Sequence, residues 1–348
     1  MRYPVAMGLR DRVRRRAGSV VVDSFFRGAS RLGRLHPRAR PEHHGVEVIR
    51  DVRYAEGSSP AHLLDVYRPA GHQPGERRPA LLYVHGGCFR ILSKDTHWVM
   101  GLAFARRGYV VFSINYRLAP EHPFPAALED CARAYAWVVS HAAAWGGDAS
   151  RLVLAGESAG ANLVTSMTVA ACFERSEPHA RRIAETNVVP RAVLPACGIL
   201  QVSDTARFAR RKPGLSRVIA ERIEEVGEAY LGPLDHPSRH GSDELGLADP
   251  LVVLEGTSPA RRALPAFFAP CGTADPLLDD TRRLAGALRA RGVVCEDVYY
   301  PGEVHAFHAF IFRPQAQKCW RDTFAFLERH CPPAVLATER GEASRVTA

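Results

Sequence analysis

Ser158 lies in a pentapeptide, Gly156-Glu-Ser-Ala-Gly160, that separates two stretches of different character. Residues 151–155 form a short apolar run that favours a β-strand, and the residues from Ala161 onward favour a helix. A serine between a strand and a helix, with glycine two positions before and after it, is typical of a nucleophile elbow. We therefore expect the Ser158 hydroxyl to be held on a strained turn and exposed for reaction.

Asp275 and His305 supply the two groups that such a serine needs. A serine hydroxyl is a poor nucleophile at neutral pH unless an imidazole takes its proton and a carboxylate orients that imidazole. The three residues occur in the chain order Ser158, Asp275, His305, which is one of the known orders for a triad of this kind. The sequence therefore predicts acyl transfer by a serine nucleophile.

Three other residues compete for these roles. Asp279 and Asp280 lie beyond Pro276 at the start of the next predicted helix, where acidic residues commonly cap the helix N-terminus. His308 follows His305 by three positions, but it is further from the predicted end of the preceding strand. These positions favour Asp275 over Asp279 and Asp280 as the orienting carboxylate. They favour His305 over His308 as the imidazole base.

The oxyanion of a tetrahedral intermediate requires hydrogen-bond donors. The backbone N–H of Ala159, directly after the nucleophile, is one expected donor. The others are the N–H groups of Gly86, Gly87 and Cys88, which follow the predicted strand at residues 80–84. The Cys88 thiol is a poorer candidate nucleophile than the Ser158 hydroxyl because no elbow surrounds it.

The elements that position these residues alternate along the chain. Strands are predicted at residues 80–84, 109–114, 151–155, 192–197, 264–269 and 293–300, with helices between most of them. Such alternation indicates βαβ units and a mainly parallel sheet with helices on both faces. Loops at the carboxyl ends of parallel strands converge on one crevice, which is where the predicted reactive groups fall.

The chain divides into five predicted segments. Residues 1–45 form an arginine-rich helical appendage, and residues 46–202 begin the α/β core. Residues 203–262 are charged and helical, which indicates an excursion out of the sheet. The core resumes over residues 263–331, and residues 332–348 form a polar tail that we expect to be disordered.

Composition excludes several classes of protein. The 348 residues are 46% hydrophobic and 24% charged, as in globular proteins. No apolar run approaches the roughly 20 residues that cross a membrane. The net charge is +9, but eleven arginines lie within residues 1–44. We therefore expect no nucleic-acid partner and no stable membrane insertion, and we leave open a weak surface contact through the basic N-terminus.

The eight cysteines form no CxxC pair and show no metal-ligand spacing. Most of them lie in apolar runs, and no secretory signal precedes them. These features favour free core thiols in a reducing compartment. We therefore expect a cytoplasmic protein that holds no metal and no organic cofactor.

Five ordered motifs resemble the hormone-sensitive-lipase-like family of α/β-hydrolases, the family IV bacterial esterases. They are His85-Gly-Gly, the loop Tyr116–Ala127, Gly156–Gly160, Asp275-Pro-Leu277 and Gly302–Phe307. The resemblance covers residues 46–330 and implies an eight-stranded sheet, with a cap made by the N-terminal helices and the excursion. It also implies a carboxylic ester hydrolase in which Ser158 is the nucleophile, Asp275 the orienting acid and His305 the general base.

Two positions depart from the family pattern. The family loop usually reads HGGG, and here Cys88 takes its last position. The backbone donor is retained, but the Cβ of Cys88 is expected to narrow the site. Glu157 stands where aspartate is common, and we expect it to alter hydrogen bonds around the elbow rather than the reaction.

Together these features predict a serine carboxylesterase that acts on small-molecule esters with short to medium acyl groups. An amidase or deacetylase with the same triad remains an alternative. A non-catalytic binding protein with this fold is a second alternative, against which the presence of all three triad residues argues. A homodimer is left open.

Overall fold

The computed structural model describes residues 23–24, 28, 30–73, 75–212, 214–232 and 245–333. Its strands are β1 (Val46–Arg53), β2 (Leu63–Pro69), β3 (Arg78–Val84), β4 (Val110–Ile114), β5 (Gly147–Glu157), β6 (Ala192–Ala196), β7 (Ala266–Gly272) and β8 (Cys295–Tyr300). They form one eight-stranded sheet in the order β1-β2-β4-β3-β5-β6-β7-β8. Strand β2 pairs antiparallel with β1 and β4, and the other neighbours pair parallel. The predicted eight-stranded, mostly parallel sheet is confirmed.

Helices connect these strands. They are α1 (Trp98–Ala105), α2 (Ala126–His141), α3 (Ala159–Cys172), α4 (Pro178–Glu185), α5 (Arg207–Arg211), α6 (Arg217–Leu231), α7 (Pro250–Glu255), α8 (Leu278–Ala290) and α9 (Pro314–His330). Every residue of α3 is buried, so the helix that follows Ser158 lies within the core rather than at its surface.

The sheet has a hydrophobic core on each face. Alternate residues of β3 point to opposite sides, so Leu82 packs in the cluster that contains α2, α3 and α8. Leu81, its neighbour in the chain, packs in the other cluster with Phe104 of α1 and Phe326 of α9. Because both faces are covered, the middle parts of the central strands are apolar, as in residues 80–84 of β3 and 152–155 of β5.

Helices α5, α6 and α7 occupy the predicted excursion between β6 and β7. Residues 30–35 are helical, and Ser30 Oγ donates to the carbonyl of Asp95 at 3.0 Å. Residues 1–22, most of the predicted tail and part of the excursion, residues 233–244, lie outside the described residues. Within the described parts of the chain, no helix combines the length and apolar character that a membrane crossing needs.

All eight cysteines are free thiols in the structure. Six of them are buried, and Cys88 and Cys295 are partly exposed. Most of the thiols are therefore shielded by packing.

Candidate active site

Ser158 connects the end of β5 to the start of α3 with φ 54° and ψ −115°. Few residues other than glycine adopt a positive φ, and such a conformation persists only where the surrounding structure enforces it. The Ser158 N–H donates to the carbonyl of Ala196 at the end of β6, at 2.9 Å. Sheet and helix thus hold this serine in the strained turn that the sequence predicts.

Gly156 and Gly160 make the turn sterically feasible. A Cβ built on Gly156 would lie 2.6 Å from the carbonyl oxygen of Gly160. A Cβ built on Gly160 would lie 2.1 Å from the carbonyl oxygen of Val84, the last residue of β3. Since both obstacles are backbone atoms, no side-chain rearrangement can relieve them. The elbow therefore packs directly on the neighbouring strand.

Asp275 follows β7 and His305 follows β8, and the structure brings their side chains together. His305 Nδ1 lies 2.8 Å from Asp275 Oδ2, and the Leu277 N–H donates to Asp275 Oδ1 at 2.8 Å. Asp275 is 1% exposed. An ionised carboxylate only accepts hydrogen bonds, so it fixes the tautomer in which Nδ1 carries the proton and Nε2 is free to accept one.

The position of Cys197 links this pair to the elbow. Ser158 is hydrogen-bonded to Ala196, and the next residue, Cys197, places its Sγ within 4.8 Å of ligand atoms of Asp275 and His305. Three adjacent strand ends therefore meet at one place.

Burial lowers the pKa of His305, but the Asp275 carboxylate outweighs burial and leaves the pKa above its ordinary value of 6.5.

The four expected oxyanion donors lie in two segments that meet at the elbow. Gly87 has φ 110°, and a Cβ there would lie 2.1 Å from the carbonyl oxygen of Ile91, so the loop requires glycine at this position. Among the described residues, no backbone carbonyl outside the helices and strands accepts from the N–H groups of Gly86, Gly87, Cys88 or Ala159. Such a bond would compete with the oxyanion for these N–H groups.

Helix α6 packs against the segment that follows these donors. The rings of Phe89 and Tyr230 stack with centroids 3.7 Å apart, and Arg90 pairs with Glu225 at 3.7 Å. Cys88 has φ 57°, and burial raises the pKa of its thiol. A side chain therefore occupies the loop position where the family usually has glycine, and α6 lies beside that loop.

The family comparison agrees with this geometry. A family model described as the alpha/beta hydrolase fold matches residues 81–309. The chain belongs to the hormone-sensitive-lipase-like family of α/β-hydrolases. The resemblance inferred from five motifs is thereby confirmed.

Named relatives of this α/β-hydrolase match it over short stretches. Tuliposide A-converting enzyme 2 of Tulipa gesneriana is 44% identical over 101 residues, which is 26% of this chain and 26% of that protein. Hormone-sensitive lipase of Mus musculus is 40% identical over 110 residues, 30% of this chain and 14% of that protein. The chain thus spans about a quarter or less of the length of these relatives.

Solved structures match over almost the whole hydrolase chain. An esterase of Mycobacterium marinum has a TM-score of 0.68 at 25% identity and covers 90% of each chain. The esterase of Pyrobaculum calidifontis has a TM-score of 0.66 at 25% identity, with 90% of this chain and 94% of that chain covered. The shared fold therefore extends well beyond the region matched by the family model.

The competing carboxylates of this hydrolase lie in other interactions. Asp280 is fully buried, accepts from the Leu200 N–H at 2.8 Å and forms an ion pair with Arg207. Asp279 pairs with Arg211 at 2.5 Å. The expectation that Asp280 caps the helix is wrong, because α8 already begins at Leu278 and the Asp280 carboxylate bonds to the segment after β6 instead.

His308 belongs to a second buried cluster behind the nucleophile. His308 Nε2 lies 3.1 Å from Glu157 Oε2, and His97 Nε2 lies 2.5 Å from Glu157 Oε1. The Tyr83 hydroxyl donates to Glu157 Oε2 at 2.8 Å. His97 and Tyr83 were not identified from the sequence, since His97 directly precedes α1, Tyr83 lies in β3 and no spacing relates them to the elbow.

Electrostatics in this cluster favour an ionised carboxylate. Burial raises the pKa of Glu157, but His97 and His308 outweigh burial and hold the pKa well below its ordinary value of 4.5. For His97, burial lowers the pKa and the Glu157 carboxylate more than reverses that effect. A Cβ on Gly86 would lie 3.1 Å from Glu157 Cγ, so the charged side chain also supports the loop of oxyanion donors.

His85 contacts the backbone of its own loop and the ring of Tyr116. Its Nδ1 lies 2.6 Å from the carbonyl oxygen of Gly86, and its ring stacks on Tyr116 with centroids 4.3 Å apart. The Tyr116 hydroxyl donates to the His85 carbonyl at 2.9 Å. These contacts fix the start of the donor loop.

Proposed function

We propose that this chain is a serine carboxylesterase that hydrolyses short to medium acyl esters through an acyl-enzyme. The observation that carries the proposal is the 2.8 Å hydrogen bond between His305 and buried Asp275, which follow β8 and β7 at the edge of the sheet where β5 leads into the Ser158 elbow. Solved neighbours that share the fold at 25% identity are named esterases, which supports the same reaction class.

In the proposed reaction, His305 Nε2 takes the proton of Ser158 Oγ as that oxygen attacks the ester carbonyl carbon. Asp275 holds the imidazole in the required tautomer and stabilises its charged form. His305 then donates the proton to the leaving alcohol, and the acyl group remains on Ser158. A water molecule then gives a proton to His305 and attacks the acyl carbon. The bond from that carbon to Ser158 Oγ breaks as His305 returns the proton to the oxygen, and the acid leaves.

The oxyanion of each tetrahedral intermediate would accept from the N–H groups of Gly86, Gly87, Cys88 and Ala159. Removing one such donor typically costs about 3 kcal/mol in the barrier. The Cβ of Cys88 narrows this part of the site, which supports a preference for small acyl groups over bulky ones.

A cap is proposed to cover the site, formed by residues 1–45 and 203–262. Its support is the packing of Tyr230 on Phe89 and the contact of Ser30 with Asp95 beyond the donor loop. The hydrolase core would then comprise residues 46–202 and 263–331.

The eight free thiols support a reducing compartment, for which we propose the cytoplasm. Relatives from Tulipa gesneriana are named as chloroplastic, so the family also occurs in an organelle.

The decisive experiment replaces Ser158 by alanine and measures hydrolysis of p-nitrophenyl butyrate. The rate should fall by about a thousandfold or more, because the remaining groups contribute only part of the catalysis. Circular dichroism should be unchanged, and Ser140→Ala, at an exposed serine of α2, serves as the matched control. Retained turnover in Ser158→Ala would refute the proposal.

A panel of esters, anilides and acetylated sugars separates the alternatives with the same triad. Faster turnover of anilides would identify an amidase, and faster turnover of acetylated sugars would identify a deacetylase. If the wild-type chain turns over none of these substrates, the non-catalytic alternative is favoured.

A further inference from the structure

Cys197 is a buried thiol that ester hydrolysis does not use. It lies directly after β6 and is 1% exposed, as is Asp275. The Cys197 Sγ, a carboxylate oxygen of Asp275 and a ring nitrogen of His305 all lie within 4.8 Å of one another. Among the described residues, this is the set of cysteine, histidine and acidic side chains whose ligand atoms are close enough to share a metal ion.

We propose that Cys197, Asp275 and His305 form an inhibitory site for a thiophilic divalent cation such as Zn²⁺. The inference rests on the proposed function, because it describes regulation of the same triad. A thiolate, an imidazole and a carboxylate are ligands that Zn²⁺ accepts together.

The distances are compatible with such a site. Zinc bonds of about 2.3 Å to sulfur and about 2.0 Å to nitrogen or oxygen place tetrahedral ligands roughly 3.2–3.7 Å apart. The three ligand atoms lie within 4.8 Å of one another, so coordination would require them to approach by up to about 1–1.5 Å. Access is through His305, whose side chain is 35% exposed, whereas the other two ligands are shielded.

Binding would exchange one proton for one cation. The thiol proton of Cys197 would leave to solvent, the ring proton of His305 would move from Nδ1 to Nε2, and bonds from the cation to sulfur, nitrogen and oxygen would form. His305 would then lose the hydrogen bond that orients it toward the serine. Hydrolysis stops, and a chelator that removes the cation restores it.

The neighbouring thiols provide matched controls. Cys271 of β7 packs in the same small cluster as Cys197 but does not belong to the set of ligand atoms that lie close together. Cys88 is partly exposed in the donor loop and likewise lies outside that set. Inhibition that depends on Cys88 or Cys271 would be lost when that cysteine is replaced and would persist when Cys197 is replaced.

The test titrates Cd²⁺, a spectroscopic substitute for Zn²⁺, into the wild-type chain and into Cys197→Ala, Cys197→Ser, Cys88→Ala and Cys271→Ala. Two quantities are measured, the ultraviolet thiolate-to-cadmium absorption and the cation concentration that halves each variant's own rate of p-nitrophenyl butyrate hydrolysis. Position 197 has a positive φ of 41°. Alanine and serine keep the Cβ of cysteine, so these substitutions leave the steric demand on that backbone conformation unchanged. Circular dichroism checks that each variant is folded.

We expect one Cd²⁺ per wild-type chain, with an absorption band that both Cys197 variants lose. The half-inhibiting concentration should rise by about tenfold or more in those variants, since one of three protein ligands is gone. In Cys88→Ala and Cys271→Ala, the absorption band and the half-inhibiting concentration should match those of the wild type.

Unchanged sensitivity in both Cys197 variants, a band that depends on Cys88 or Cys271, or no band at all would overturn the metal site. An active enzyme with any of these results refutes only this inference. A Cys197-dependent band in a chain that hydrolyses no ester keeps the cation site and refutes the proposed function.

Discussion

Replacing Glu157 by glutamine removes a buried negative charge and keeps the shape of the side chain. Glu157 is 4% exposed and contacts two histidines, His97 at 2.5 Å and His308 at 3.1 Å. Glutamine can still accept from one ring and donate to the other if both rings are neutral. The substitution therefore isolates the contribution of charge to the stability of the segment behind the nucleophile.

The expected cost follows from burial. Breaking a buried ion pair by removing one partner typically costs about 3–5 kcal/mol. Glutamine retains part of the hydrogen bonding, so we expect the lower end, about 3 kcal/mol in the free energy of unfolding. At about 1.5 °C per kcal/mol for a domain of about 300 residues, this corresponds to a fall in Tm of roughly 4–5 °C.

The difference in the free energy of unfolding between the wild type and Glu157→Gln should depend on pH in a defined direction. The pKa of Glu157 is lowered, so its contribution is present above the ordinary glutamate value of 4.5 and is lost only as pH falls through the lowered pKa. The pKa of His97 is raised, so its contribution is complete below the ordinary histidine value of 6.5 and is lost as pH rises through the raised pKa. The destabilisation should therefore be largest in mildly acidic solution and shrink in alkaline solution.

Urea unfolding followed by circular dichroism at about pH 5.5 and about pH 9 measures this difference. Glu47→Gln is the control, because Glu47 pairs with Arg68 at the surface and should contribute only about 0–1 kcal/mol. A Glu157→Gln variant that is less stable by the same amount at both pH values would refute the assigned role of the charge. A loss below about 1 kcal/mol would refute the buried ion pair itself.

Two further outcomes test the elbow and the base. Gly160→Ala should reduce ester hydrolysis by about a hundredfold and lower Tm, since its Cβ would meet the Val84 carbonyl oxygen at 2.1 Å. Gly286→Ala in α8, where nothing lies within 4 Å of the added Cβ, should leave the rate unchanged and raise stability by up to about 1 kcal/mol. The kcat/KM for p-nitrophenyl butyrate should fall on the acid side with a midpoint above pH 6.5, because His305 must be neutral to act as base and its pKa is raised. A midpoint below that value would contradict the role of Asp275.

Much of the candidate site could be predicted from short patterns in the sequence. The elbow could be predicted because its two glycines and its change from strand to helix fall within a few residues. Asp275 and His305 could be predicted because each follows a strand at the edge where parallel strands converge. Helix α3 begins at Ala159 rather than at the predicted Ala161, since Ser158 itself ends the extended backbone and the helix starts at once.

Contacts between distant elements were not predictable in the same way. The side chains that contact the Glu157 carboxylate are Tyr83 of β3, His97 directly before α1 and His308 after β8. No periodicity in the sequence relates these positions. Asp280 resembles a helix cap in sequence, but its buried partner Arg207 lies in α5, 73 residues away in the chain. Only the folded sheet brings such groups together, so motif spacing gives no information about them.

Cys88 shows how the donor loop depends on the excursion after β6. Cys88 and Phe89 both have positive φ, at 57° and 59°, and such backbone costs about 1–2 kcal/mol for each residue other than glycine. An aromatic stack contributes about 0.5–1.5 kcal/mol beyond the area it buries. The stack of Phe89 on Tyr230 and the Arg90–Glu225 pair therefore offset part of the strain. Since Tyr230 and Glu225 both lie in α6, this helix stabilises the loop of the expected oxyanion donors, and substitutions in α6 should alter the rate of hydrolysis together with substrate preference.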